Sequence, residues 1–239
     1  MTRREFLATA AVAAWTRPGT PAKPQNSFYF VLIDTSLTIV NFEEYRNAWR
    51  TIENHFQGGD RMVIALVKGQ VPHQPSTTFR KIDDCQLAPA SWMDNGLMFE
   101  KHLKEIRGHL RSSFEKALCE PRSTQTELIR SLKEAGKFFA ADRERKGTLL
   151  ILSDMLEDSE EYKFSRTRIT PQFIKNVLAE TRQNQRMASL QGVQVYVIGA
   201  SAATEAKADE VEKFWVAYLQ ACGSNFGAEN YGSSLIQID

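Results

Sequence analysis

The feature that most constrains this chain is the run Phe28-Tyr29-Phe30-Val31-Leu32-Ile33, six apolar residues with no polar residue between them. A strand with one wet face alternates polar and apolar side chains, whereas a strand covered on both faces does not. Residues 62–67, 148–152 and 193–198 are similar, with only Thr148 and Gln194 polar. Between these runs lie stretches of helical periodicity. Phe42, Tyr45, Ala48, Trp49, Ile52 and Phe56 recur at helical spacing after Asn41, which is placed to cap a helix running through His55. Further helices are expected over residues 97–118, 126–141, 171–190 and 205–221, with Pro171 in a first turn.

Buried strands alternating with helices give an α/β fold, a mostly parallel central sheet with helices on both faces and right-handed crossovers. Residues 77–83 alternate weakly and read as an edge strand, and residues 234–238 as a last short strand. The chain has 239 residues, enough for one large domain with a core of its own. Its net charge of +1 gives no field that would draw nucleic acid. No apolar run approaches the roughly 20 residues a membrane-spanning helix needs. Cys85, Cys119 and Cys222 show no zinc-like spacing. Cys85 and Cys119 either pair in an exported protein or stay free as small apolar groups.

The first residues read as an address. Arg3-Arg4-Glu5-Phe6-Leu7 precedes a short run of small and apolar residues, and the whole resembles a twin-arginine export signal. Four residues in the next stretch, Pro18, Gly19, Pro21 and Pro24, make it a tether. Residues 1–26 are therefore assigned to signal and linker, residues 27–239 to the domain, and the expected location is periplasmic or extracellular.

Ligands of open α/β sheets gather beyond the carboxyl ends of the strands. After the first buried strand the chain reads Asp34-Thr35-Ser36-Leu37-Thr38, and after the third, Ser153-Asp154. Thr126 stands at the opening of the helix between them, with Ser123 and Thr124 as neighbouring candidates. Carboxylates and hydroxyls without histidine or thiolate suit Mg²⁺, Ca²⁺ or Mn²⁺. In this pattern the chain resembles the von Willebrand factor A family and its metal-ion-dependent adhesion site. Asp34, Ser36 and Thr38 match that family's first element, Thr126 its second and Asp154 its third, with Thr38 standing where the family usually has Ser. The resemblance implies a three-layer, Rossmann-like sandwich with one antiparallel edge strand. It further implies a divalent cation, Mg²⁺ foremost, bound by Asp34, Ser36, Thr38, Thr126 and Asp154. The partner it implies is a protein presenting Asp or Glu, bound without catalysis.

An alternative reading is a haloacid dehalogenase-like, Mg²⁺-dependent phosphatase. Asp34 would be its nucleophile, with Thr38 and Ser153 in support. It lacks an acidic pair after residues 193–198, and Ser36 stands where most such enzymes have a second Asp. Other polar groups have plainer readings. His102, Glu105 and His109 fall on a solvated helix face, and residues 157–161 form a solvated acidic loop. Trp49 and Trp215 belong to helix cores, and Trp92 anchors a loop.

Overall fold

The computed structural model describes residues 26–39, 42–67, 79–90, 95–235 and 237–238. Residues 1–25 of the signal and tether, Asn41 and Trp92 lie outside the described residues. Six strands form one sheet: β1 (Ser27–Asp34), β2 (Arg61–Val67), β3 (Phe79–Gln86), β4 (Lys146–Leu152), β5 (Gln194–Ile198) and β6 (Tyr231–Gly232). Their order is β3-β2-β1-β4-β5-β6. All neighbours run parallel except β2 and β3. Five helices accompany them: α1 (Glu43–His55), α2 (Gly96–Leu118), α3 (Leu128–Ala141), α4 (Pro171–Gln183) and α5 (Glu205–Ala221).

The unbroken apolar runs are explained by what covers them. Successive β1 side chains leave opposite sides of the sheet. Phe28, Phe30 and Leu32 pack in one core with Leu132, Phe139, Val177, Phe214 and Trp215 from α3, α4 and α5. Tyr29, Val31 and Ile33 pack in a second core with Trp49 and Ile52 of α1 and Leu110 and Phe114 of α2. Each large apolar side chain so buried contributes about 2 kcal/mol. The result is the three-layer α/β sandwich expected from the strand pattern. Trp49 and Trp215 are core residues, and the Trp49 ring stacks on Phe114 at 4.5 Å.

Several boundaries differ from expectation, each for a local reason. The last strand is Tyr231–Gly232, not residues 234–238. Its partner β5 ends at Ile198, opposite Gly232, so the ladder has no continuation for Ser234 to join. Helix α4 stops at Gln183, well before residue 190. Gln185 takes a left-handed conformation (φ 54°), and Arg186 N–H closes the end on Thr181 O at 2.8 Å. Helix α3 starts at Leu128 because Thr126 is held outside it: its N–H and C=O both bond the backbone of Asp158. The edge strand is described over Phe79–Gln86, past residue 83, and residues 77–78 lie outside the described residues.

The sequence moves outward from β1 to β3 in one direction and from β4 to β6 in the other. The reversal lies between β1 and β4, which opens a crevice at their carboxyl ends. Asp34 ends β1, and Ser153-Asp154 follows β4.

Candidate metal site

The loop after β1 is held from both sides. Ser36 bridges to Ser123 in parallel fashion, and Leu37 N–H donates to Ser123 O at 3.0 Å. Arg122 donates through Nη2 to the carbonyls of Ser36 (2.6 Å) and Ile39. These contacts pin the segment before α3 against the β1 loop.

Asp34 is 1% exposed, and both its oxygens are engaged. Oδ1 accepts from Ser36 N–H at 2.8 Å, and Oδ2 accepts from Ser153 Oγ at 2.8 Å. Ser153 Oγ in turn accepts from Met155 N–H at 2.9 Å. Asp154 is 3% exposed, and its Oδ1 accepts from Leu156 N–H at 3.0 Å. Ser36 Oγ and Thr38 Oγ1 lie 2.8 Å apart. Asp34, Ser36, Thr38 and Asp154 thus share one patch of the sheet edge. Thr126 is buried on the adjoining segment, and among the described residues no hydrogen bond joins it to the other four.

Burial pushes the Asp34 carboxyl up to about 6, with the charge of Asp154 adding to the shift and the Ser36 and Ser153 donors opposing it. Burial raises Asp154 as well, against hydrogen bonding from Thr38 and Leu156. Among the described residues no Lys or Arg pairs with either carboxylate. Two neighbouring buried carboxylates without a counter-charge are costly, and hard oxygen donors beside them fit a small divalent cation. Adjacent ligands on an octahedral Mg²⁺ sit about 3 Å apart, close to the 2.8 Å between the Ser36 and Thr38 hydroxyl oxygens. Among the described residues no three His, Cys, Asp or Glu side chains cluster, so the donor set is two carboxylates with hydroxyls.

Polar groups at this edge are left open. Thr35 Oγ1, Tyr45 Oη and Gln125 Oε1 are buried without a hydrogen-bond partner among the described residues. Tyr45 belongs to the apolar stripe of α1, but its hydroxyl is a polar group that periodicity did not register. Its titration is pushed well above an ordinary phenol by burial, then by the charges of Asp34 and Asp154.

The acidic run 157–161 is solvated only in part: Glu160 and Glu161 are exposed, whereas Glu157 and Ser159 are buried. Glu157 is 1% exposed, and its Oε2 accepts from Leu128 N–H (2.8 Å) and Ile129 N–H (3.2 Å), capping α3. Burial pushes it up to about 8, against its hydrogen bonds from Ile129, Ser159 and Leu128. Glu161 and Asp158 form ion pairs with Arg186 and Lys163. The sequence carries no local sign of this, since the capped amides lie 28 and 29 residues away. His102 and Glu105 sit on an outward face of α2, while His109 reaches Asp83 of β3 at 2.9 Å. Cys85, Cys119 and Cys222 are all free.

No protein-family model matches the chain, and no curated protein matches it by sequence. Among solved structures it is similar to the pilus adhesin SpaC from Lactobacillus rhamnosus GG. The open conformation matches at 11% identity over 87% of this chain with a TM-score of 0.48. A second structure of that adhesin matches at 11% identity over 86% with a TM-score of 0.50. The chain spans 29% of the length of the adhesin chains it matches. The likeness at a TM-score of 0.50 is one of fold, and within it the helices and the mostly parallel sheet form a Rossmann-like sandwich.

Proposed function

We propose that this domain is a metal-dependent protein-binding module of the bacterial envelope, built on a von Willebrand factor A-type site. The observation that carries the reading is the Asp34–Asp154 pair. These two carboxylates are buried together at the switch point, beside the Ser36 and Thr38 hydroxyls and, among the described residues, without a Lys or Arg partner. Asp34, Ser36, Thr38, Thr126 and Asp154 are the residues proposed to hold the ion, Mg²⁺ foremost, with Ca²⁺ and Mn²⁺ as the other candidates. The bound ion supplies an electrophilic centre that an acidic side chain of a partner can join. Ser36 N–H and Ser153 Oγ fix Asp34 in one orientation, and Leu156 N–H does the same for Asp154. Thr38 is exposed, which leaves its side of the patch open to a partner.

The residues around Asp34 speak for binding over phosphoryl transfer: Ser36 stands where most such phosphatases have a second Asp, and no acidic pair directly follows residues 193–198. The envelope location rests on the twin-arginine-like start. A pilus adhesin of the same fold is in keeping with a surface role. Among the described residues no helix is long and apolar enough to cross a membrane.

The test is calorimetric titration of the wild type and Asp34→Ala with Mg²⁺, Ca²⁺ and Mn²⁺, with hydrolysis of generic phosphate esters measured in parallel. Saturable binding without turnover, weakened about 100-fold or more by the substitution, is the expected result. Chelator-sensitive capture of an envelope protein by wild type and not by Asp34→Ala would identify the partner. Turnover lost in Asp34→Asn, or absence of any metal binding, defeats the proposal.

A further inference from the structure

Six buried side-chain polar atoms lack a partner among the described residues, and three of them belong to the candidate site: Thr35 Oγ1, Tyr45 Oη and Gln125 Oε1. Thr35 lies inside the Asp34–Thr38 loop, and Gln125 immediately precedes Thr126. Tyr45 comes from the first turn of α1, the helix that follows the loop. A buried hydroxyl without a partner costs about 1–3 kcal/mol, so its retention asks for a reason.

The Tyr45 ring is held firmly. The residue is 1% exposed and packs in the α1–α2 core. Gly199, with φ +88°, gives the ring its space: a Cβ there would lie 2.7 Å from Tyr45 Cε1 and 3.4 Å from Ser153 O. The ring therefore reaches the carboxyl ends of β4 and β5, where Ser153 and Gly199 follow the strands. The charges that act on its hydroxyl most are Asp34 and then Asp154, with Arg122 opposing them. A phenylalanine would fill the same apolar position, so packing alone gives no reason for the oxygen.

We propose that the Tyr45 hydroxyl is a positioning group of the cation site: it donates a hydrogen bond, through water, toward the Asp34–Asp154 carboxylates and holds them for the ion. The inference rests on the cation reading given above and adds a residue outside the five proposed ligands. Donors standing behind metal ligands fix the ligands' orientation, and their loss commonly costs 10–100-fold in affinity. Among the described residues the hydroxyl has no hydrogen-bond partner, so the fold by itself gains nothing from it.

Tyr45→Phe separates a role in the site from a role in the fold. With chelator present, the variant is expected to melt at or above the wild-type temperature. With Mg²⁺ or Mn²⁺ titrated calorimetrically, its dissociation constant is expected to rise about tenfold. An unchanged dissociation constant overturns the proposal. So does a fall of several degrees in the chelated melting temperature, since the hydroxyl would then be supporting the fold. If instead the wild type takes up neither ion, the cation reading itself fails, a result distinct from wild-type binding that Tyr45→Phe leaves intact.

Discussion

The two ends of the sheet treat buried acids in opposite ways. At the end where the parallel strands begin, Asp142 accepts from Arg61 Nη1 at 3.1 Å and from Arg145 Nη1 at 2.9 Å. Burial raises the carboxyl of Asp60, nearby, against hydrogen bonds from Ser27 N–H and Gln57 N–H and the charge of Arg145. At the end where the strands finish, Asp34, Asp154 and Glu157 are buried still more deeply. Their partners are hydroxyls and backbone amides, and among the described residues none of the three pairs with Lys or Arg. Glu157 is answered by the N-terminus of α3, whereas Asp34 and Asp154 have only hydroxyls and single amides around them, and that contrast is what marks the pair as proposed cation ligands.

The largest expected effect probes Glu157, whose counterpart is a helix N-terminus rather than an ion. Its carboxyl is pushed from an ordinary value near 4.5 up to about 8 by burial. The folded state therefore holds a proton that the unfolded state releases between those values, and stability falls as pH rises through that window. Glu157→Gln keeps an oxygen acceptor for Leu128 and Ile129 and removes the titration. The variant and wild type should be equally stable near pH 4.5. A gap in the variant's favour should open up to pH 8 and then level off, reaching on the order of 4 kcal/mol. Denaturant titration across pH measures it, and parallel curves would show that Glu157 is ionised throughout.

A direct break of the comparison is to make the same substitution at both ends. Asp142→Asn leaves Arg61 and Arg145 half-paired in a mostly buried setting and should cost about 2–3 kcal/mol in chelator. Asp34→Asn relieves repulsion with Asp154, so the metal-free protein should lose nothing and the Mg²⁺-dependent rise in melting temperature should disappear. Equal destabilisation by the two would mean that Asp34 is as structural as Asp142.

The sequence made the fold legible where one physical rule dominated. Strands buried on both faces announce themselves as unbroken apolar runs, and the residues that follow them mark the sheet edge. That reasoning reached Asp34, Ser36 and Asp154, which the structure places together. It failed where a side chain's partner is remote in sequence. Glu157 looked solvated because its acidic neighbours are, while its own oxygen caps amides on another element. The sequence starts helix α3 at Thr126 because a hydroxyl before an apolar stripe resembles a cap, but an antiparallel bridge to Asp158 holds that residue outside. Tyr45 reads as one more apolar position, because periodicity reports the ring and is blind to the hydroxyl at its end.

The smallest effect isolates how Asp34 is held. Ser153 Oγ donates to Asp34 Oδ2 and accepts from Met155 N–H, so Ser153→Ala strips one donor from the carboxylate and leaves a buried amide open. The stability cost should be about 1–2 kcal/mol. A second consequence follows from charge. The Ser153 bond lowers the Asp34 pKa, which stands at about 6, so its removal moves that value upward. Protons then compete with the cation at higher pH, because a ligand carboxylate must be ionised to bind. Metal affinity of Ser153→Ala should fall several-fold below wild type near pH 6.5 and recover most of the difference by pH 8.5. A deficit of the same size at both pH values would assign Ser153 to the shape of the loop and not to the charge on Asp34.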